Sequence, residues 1–449
     1  MDIRNLRSAV ELRALLEERK PRRIQVGVTD LDGVLRGRMV RTERVLSALE
    51  TGMGLCDLYL GSDLDDQPYA GLRTSGRVAG FPDAPIKVLP ETLRELPDDR
   101  GLLILGEFAG RAESLCPRSA LRRVVQHLAQ TGFSAKVGFE YEFTLFETTD
   151  DGELELEPIS LGQQGYSLAD ADVHAELVDA LWDHCEALDL PLESLHPESG
   201  SGVLEAALAA DAPVAAADKA ALFKTFVKSF ARKRGLVASF MARWTLDQPG
   251  QSGHIHISLQ DQDGRPAFFD KGAPFRMSRT MRAFVAGQQR YLPELLALAA
   301  PTVNSYARLQ PSERVPAAAT WGVENRSTAL RVIPGAPKAQ RVEFRIAGSD
   351  ANPYLALSAA LASGSVGISE SLMLAQPVKG NAHDQDFPAE MQLPTTLGEA
   401  AEKLAACAPA RKVLGDAFVE HFVISRRWEE QQFRRAVTDW ELRRYLTRI

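Results

Sequence analysis

The chain has 449 residues, 45% of them hydrophobic and 25% charged, the composition of a globular protein long enough for two or three domains. Its formal net charge of −8 argues against general nucleic-acid binding, which shows itself as a basic excess. Cys56, Cys116, Cys185 and Cys407 are far apart, so neither a disulfide frame nor a zinc cluster is indicated.

In chain order, the charged opening MDIRNLRSAVELRALLEERK predicts a helix and lacks the apolar core of a signal peptide. No apolar run approaches the ~20 residues that span a bilayer, so a cytoplasmic protein without membrane partners is expected. RRIQVGVTDLDGVLRGRMV predicts a hairpin turning at Asp32-Gly33. After the proline-punctuated stretch FPDAPIKVLPETLRELPDDRG, the apolar run LLILGEFAG predicts a strand. Near RAESLCPRSALRRVV a new unit begins, with Pro117 in the first turn of a helix. Leu121, Val124, Val125 and Leu128 follow at helical spacing, and Gly132 stops it. The expected organisation is α+β: a small N-terminal domain over residues 1–112 and a large domain over 113–449.

The large domain opens on KVGFEYEFTLFE. On a strand, Tyr141, Phe143 and Leu145 share one face, and Glu140 and Glu142 share the other. Neighbouring carboxylates in a partly buried place repel each other and lose hydration unless a cation sits between them. The same design recurs in GHIHISL, with His254, His256 and Ser258 on one face, and in RVEFRI, with Arg341, Glu343 and Arg345. HPESGSGVLEAAL carries Glu198 and Glu205 around a Gly-Ser-Gly turn, and WGVENRSTALRV presents Arg326 and Arg331. Each segment alone reads as a wet strand face, a cross-strand ion ladder or a turn. Together they describe a hard-cation site, mostly oxygen with one imidazole, that suits Mg²⁺ or Mn²⁺. The arginines beside it suit phosphate, although neither a GxxxxGK[ST] loop nor a kinase signature is present.

These residues bring a family into view. GFEYEF, HPESGSGVLE, GQSGHIHISL, NSYARLQP, WGVENRSTALRV, KAQRVEFRI and ANPYLALSAALASG occur in the order in which the glutamine synthetase family carries them, and the chain resembles its bacterial type I-like branch over nearly its whole length. The resemblance implies an N-terminal β-grasp domain and a catalytic domain whose antiparallel sheet, flanked by helices, forms a funnel. It implies two divalent metals, Mg²⁺ or Mn²⁺, one on Glu142, Glu198 and Glu205 and the other on Glu140, His254 and Glu343. Arg326 and Arg331 would meet the phosphates of ATP and the moving phosphoryl group, while His256, Ser258, Lys338 and Arg341 fall at ATP contacts. Gly250, Arg308 and Arg345 fall at the glutamate. The implied chemistry is attack of the glutamate γ-carboxylate on ATP, then attack of an amine on γ-glutamyl phosphate. The family also forms rings, usually dodecamers, in which one subunit's N-terminal domain completes the next subunit's site.

The departures bear on the acceptor. In RLQPSERVP, Arg314 stands where glutamine-forming members have a flap glutamate, with Glu313 one residue early. In DLYLGSDLDDQPYAG, Leu60 matches an aspartate that helps to hold ammonium, and Asp63 follows it. Val203 replaces a usual glutamine and Pro249 a common asparagine. An apolar residue and a cation where an ammonium ion would be held weaken that site. The expected activity is therefore ATP-dependent ligation of glutamate to an organic amine: a polyamine, ethanolamine or an alkylamine, with a likeness to the γ-glutamylpolyamine synthetases. Glutamine synthesis with Glu313 as the flap base is the alternative. A catalytically silent homologue is the other, although all six candidate metal ligands are present.

Overall fold

The computed structural model describes residues 3, 6–72, 80–97, 101–148, 157–159, 164–310 and 315–449. The opening helix spans Ala9–Arg19; the Ser8 side chain caps it by accepting from the Glu11 amide, and Leu12, Leu15 and Leu16 are its buried face. The Asp32-Gly33 signal is a hairpin turn, with β1 (Arg23–Thr29) and β2 (Leu35–Arg41) paired antiparallel in register from Arg23 opposite Arg41 to Thr29 opposite Leu35. Gly33 has φ +84°, a left-handed conformation that suits glycine and few other residues. β3 (Met53–Cys56), β4 (Asp83–Val88), β5 (Arg94–Leu96) and β6 (Gly101–Phe108) complete a first sheet of order β2-β1-β6-β4-β3, with β5 beside β6. β1 and β6 run parallel.

The helix expected at Pro117 spans Pro117–Gln130 and buries Leu121, Val124 and Leu128. It leads into the second sheet, made of β7 (Ser134–Glu147), β8 (Glu157–Pro158), β9 (Leu192–Pro197), β10 (Val203–Leu208), β11 (Leu236–Ser239), β12 (Gly253–Gln260), β13 (Trp321–Val323), β14 (Leu330–Ile333) and β15 (Arg341–Phe344). Its order is β13-β14-β15-β12-β7-β10-β9, with β8 and β11 also on β7. The α+β class expected from the sequence is what the chain adopts.

Alternation decides which face of this sheet is dry. Tyr141, Phe143 and Leu145 point into the core, where Tyr141 stacks on Phe223 at 6.2 Å and Phe143 on Phe240 at 5.3 Å between ring centroids. Rings at these separations add attraction to the burial of their apolar area. Helices Pro213–Arg232, Arg279–Ala299 and Pro353–Ser369 belong to the same core. The last two cross so closely that a Cβ on Gly287 would lie 2.2 Å from the Ser363 carbonyl oxygen. Asn352 caps Pro353–Ser369 by accepting from the Tyr354 amide, and its Nδ2 donates to the carbonyls of Asp30 and Leu31. That side chain ties the hairpin of the first sheet to the helices behind the second.

The four cysteines are unpaired. The C-terminal helix Asp439–Tyr445 starts at a Thr438–Glu441 capping box and buries none of its residues. No helix among the described residues is long and apolar enough to cross a membrane.

Candidate active site

The polar face of the second sheet lines a cavity of about 1030 Å³. Strand register brings its ionisable groups together. Arg331 on β14 lies opposite Glu343 on β15, and Glu343 opposite His256 on β12. His254, two residues earlier on β12, faces Glu140 on β7. Glu142, two further along β7, faces Glu205 on β10, and Glu205 faces His196 on β9. One row of Arg, Glu and His side chains therefore crosses six adjacent strands, because period-2 alternation keeps each of them on the same face.

The distances make this row one electrostatic unit. His256 Nε2 is 2.9 Å from Glu140 Oε1, and the Arg341 Nε donates to His256 Nδ1 at 3.1 Å. That second bond leaves the imidazole proton on Nε2, on the side of the Glu140 carboxylate. His254 Nδ1 is 3.4 Å from Glu343 Oε1 and 3.6 Å from Glu140 Oε2. Glu343 is almost wholly buried between two arginines, with Arg331 Nη1 at 3.0 Å and Arg345 Nη1 in a short contact.

Burial alone would push Glu140 up, but the adjacent His254 and His256 imidazoles override it and hold its carboxyl far below the usual range. Glu343 is lowered too, with burial opposed by His254 and Arg345. The His196 imidazole, followed by the Ser199 amide, lowers Glu198 to about 2. Glu205 goes the other way: burial, then the charges of Glu140, Glu142, Glu198 and Glu343, raise it to about 9. A carboxyl that resists ionisation inside a ring of carboxylates is one whose charged form a cation would stabilise.

The donor sets fit hard divalent cations. Glu140, Glu205 and His254 offer ligand atoms within 4.8 Å of one another, as do Glu140, His256 and Glu343, and likewise His196, Glu198 and Glu205. A measurable consequence follows from Glu205. Below about pH 9 its carboxyl keeps a proton that a divalent cation must displace. Metal binding at pH 7 is expected to release about one proton, and affinity to rise about tenfold per pH unit until pH approaches 9. Calorimetry of Mn²⁺ binding in buffers of unequal ionisation enthalpy reads that proton directly; a buffer-independent heat would show Glu205 already ionised.

The cavity wall gathers most of the residues expected from the sequence. Glu140, Glu142, Glu198, Glu205, His254, His256 and Glu343 line it, with Arg308, Arg326, Arg331, Arg341, Arg345 and Gly250. Arg308 is buried and spends its Nη1 on the Ile346 carbonyl and its Nη2 on the Ser252 hydroxyl. Its Nε, like that of Arg345, is buried without a partner among the described residues. Gly250 is packed on Arg308, for a Cβ there would lie 2.7 Å from Arg308 Cγ.

Others fall elsewhere. Ser258 lies further along β12, opposite Lys136, and Lys338 is exposed; neither lines the cavity. Leu60 is fully buried in the core of the first sheet, and its carbonyl is paired with His421 Nε2. Asp63 accepts from the Asp65 and Gln67 amides and from Trp428 Nε1, so turn closure and helix contact occupy its carboxylate. Glu313 and Arg314 lie outside the described residues.

His196, which pairs with Glu198 and Glu205, and Tyr166, on the cavity wall, were not among the residues expected. His196 follows from alternation, being two residues before Glu198 in SLHPES, but a lone histidine beside a proline carries no ligand spacing of its own. Tyr166, whose ring stacks on His196 with centroids 4.4 Å apart at 11°, sits in a loop with no periodic signal.

Comparison with known proteins agrees with this geometry. Residues 114–445 match the family model described as the glutamine synthetase catalytic domain. A type-1 glutamine synthetase of Dictyostelium discoideum is 38% identical over 94% of this chain and 83% of its own length. The γ-glutamylethanolamide synthetase GlnA4 of Streptomyces coelicolor is 36% identical over 98% of this chain and 96% of its own. Among solved structures, an ADP complex of GmaS superimposes with a TM-score of 0.83 at 26% identity, covering 97% of this chain and 99% of that one. The fold and the site thus define a glutamine synthetase-type ligase, and the chain belongs to the glutamine synthetase family. ATP-dependent ligation at glutamate goes with that membership.

Proposed function

We propose that this chain is an ATP-dependent ligase that joins the γ-carboxylate of glutamate to an organic amine. The observation that carries the reading is the row from Arg331 to Glu205 across one sheet face, with its carboxylates, imidazoles and arginines around one cavity. Arg326, Arg331 and Arg341 are the groups for the phosphates of ATP. Arg308 and Arg345, each with a buried Nε free of partners among the described residues, are the groups for the glutamate carboxylates, whose planar oxygen pairs match a guanidinium fork. Glu140, His254 and Glu343, and Glu198 and Glu205 with Glu142 or His196, would hold divalent cations, which when bound neutralise charge on phosphate oxygens.

In the first step a γ-carboxylate oxygen bonds to the terminal phosphorus of ATP, and the bond to ADP breaks. In the second the amine nitrogen, having lost a proton, bonds to the acyl carbon, and inorganic phosphate leaves. The arginines steady the charge spread over the moving phosphoryl group. A closed site keeps water from the acyl phosphate.

An organic acceptor is supported by the missing anion at residue 60, where a buried leucine stands, and by likeness to a relative named for ethanolamide synthesis. Ring assembly with a neighbour's N-terminal domain at the cavity mouth belongs to the same reading. Glutamine synthesis is the second reading, favoured by the 38% identity to a type-1 glutamine synthetase.

Phosphate release from ATP with glutamate and Mg²⁺ separates the two, run with ammonium, ethanolamine, short alkylamines, putrescine and spermidine. One organic amine is expected to exceed ammonium in kcat/KM by at least about tenfold, or about 1.4 kcal/mol of transition-state discrimination. Ammonium as the best acceptor would make the chain a glutamine synthetase.

A further inference from the structure

Arg331 is held from two sides by carboxylates. Its Nη1 donates to the buried Glu343 at 3.0 Å. On its other edge, Glu324 Oε2 accepts from Arg331 Nε at 3.1 Å and, more closely, from Nη2. These bonds use three of the guanidinium N–H groups and fix the plane of the fork, leaving the others for an incoming anion. Glu324 is half-exposed and stands outside the cavity that Arg331 lines. It faces a neighbouring cavity of about 520 Å³, and Arg326 lines both.

The backbone at Glu324 is itself unusual. Its φ is +49°, in the left-handed region that a residue with a Cβ rarely adopts. Its amide is tied to the Val332 carbonyl on β14 at 3.0 Å. Asn325 then closes the turn, its side-chain oxygen accepting from the Ser327 amide and its Nδ2 donating to the Gly380 carbonyl. Backbone conformation alone would choose glycine or asparagine at position 324. The chain has a glutamate there, and strain of that kind is kept where it serves a site.

We propose that Glu324 is a positioning residue for phosphoryl transfer, holding the Arg331 fork toward the phosphates of ATP from outside the cavity. The proposal rests on the reading that Arg331 meets those phosphates. With Glu324 gone, Arg331 keeps its bond to Glu343, about which the fork is free to turn. Its positive charge stays in the cavity, so nucleotide affinity changes little. Its alignment with the moving phosphoryl group is lost, and misplacement of that kind slows chemistry.

The test follows ADP formation from ATP and glutamate with Mg²⁺ in a single turnover of the full chain. Glu324→Ala and Glu324→Gly are expected to lower the maximal rate about 10- to 100-fold, with half-saturating ATP changed less than about threefold. Glu324→Gln keeps an oxygen that accepts from Arg331, and should recover the rate to within about fivefold of wild type. Glycine also relieves the backbone, so Glu324→Gly should unfold no earlier than Glu324→Ala while remaining as slow. A residue that only built the turn would move rate and stability together. Arg331→Lys keeps the charge but not the fork. It should be slow as well, and adding Glu324→Ala to it should cost nothing further.

Alanine and glycine variants within about threefold of the wild-type rate would overturn the proposal. So would a Glu324→Gln as slow as Glu324→Ala, or losses that multiply in the double variant. A fast Arg331→Lys would instead bring down the reading of Arg331 at the phosphates.

Discussion

Glu343→Gln is expected to lower kcat by about 10³ or more while changing nucleotide affinity less than about tenfold, because it removes a charge that joins one of the proposed metal-ligand sets to two arginines of the cavity. Glu343 is 1% exposed. Its carboxylate meets Arg331 Nη1 at 3.0 Å, Arg345 Nη1 in a short contact and His254 Nδ1 at 3.4 Å. Glutamine keeps the size of the side chain but not its charge. Arg331 then retains Glu324, which accepts from its Nε at 3.1 Å, and is drawn toward that exposed partner and away from its proposed place at the phosphates. Arg345 has no such second carboxylate among its described contacts. Losing one partner of a buried ion cluster also costs about 3–5 kcal/mol of stability, so the variant's fold must be checked by its unfolding midpoint. Single-turnover formation of ADP from ATP and glutamate separates chemistry from binding. A loss of less than about tenfold with normal stability would remove Glu343 from the reacting centre.

How far such a residue can be read from sequence depends on what alternation encodes. In GFEYEF, GHIHISL and RVEFRI the period of two identifies a face, and the structure keeps Glu140, His254, His256 and Glu343 on it. Alternation says nothing of how far along a strand the cavity reaches. Ser258 continues the pattern of His254 and His256, yet it lies past the cavity, opposite Lys136. Nor does it say what arrives from elsewhere in the chain: Glu142 is on the right face, but the Ser252 amide occupies one of its oxygens.

Strand order was equally hidden. Sheet order places β9 beside β10 and β15 beside β12, and only that pairing sets His196 against Glu205 and Glu343 against His256. Loops were the least legible. The Leu60 side chain is taken up by the core of the first sheet, and its carbonyl by His421, which is 361 residues away in sequence. By contrast the Asp32-Gly33 turn and the Pro117 helix start depend on local backbone chemistry, and both formed where the sequence placed them.

Arg426 tests the long-range part of that design. It is 2% exposed on the helix Asp416–Arg435, with Nη2 2.7 Å from Asp32 Oδ1 and Nη1 donating to the Pro301 carbonyl at 2.7 Å. Burial opposes its charge, but Asp32 more than offsets this and raises its pKa. Asp32 belongs to the hairpin turn of the first sheet, and Pro301 immediately precedes Thr302, which caps the helix Val303–Arg308. One guanidinium thus joins the hairpin to the helix that carries Arg308 into the cavity. Arg426→Leu should destabilise the protein by about 3 kcal/mol, since the half-buried Asp32 is left without its cation. Adding Asp32→Asn should recover part of that loss, because the two residues form one interaction and their costs do not add. Urea unfolding of the two single variants and the double variant measures the coupling. On the proposed function, a shifted capping turn should also raise KM for glutamate more than KM for ATP, because Arg308 is the group proposed for the amino acid and the groups proposed for the phosphates lie on other segments. Single variants that each cost less than about 1 kcal/mol would place the pair among exposed ion pairs, and the hairpin would then need another anchor, for which Asn352 and its bonds to Asp30 and Leu31 are the remaining bridge.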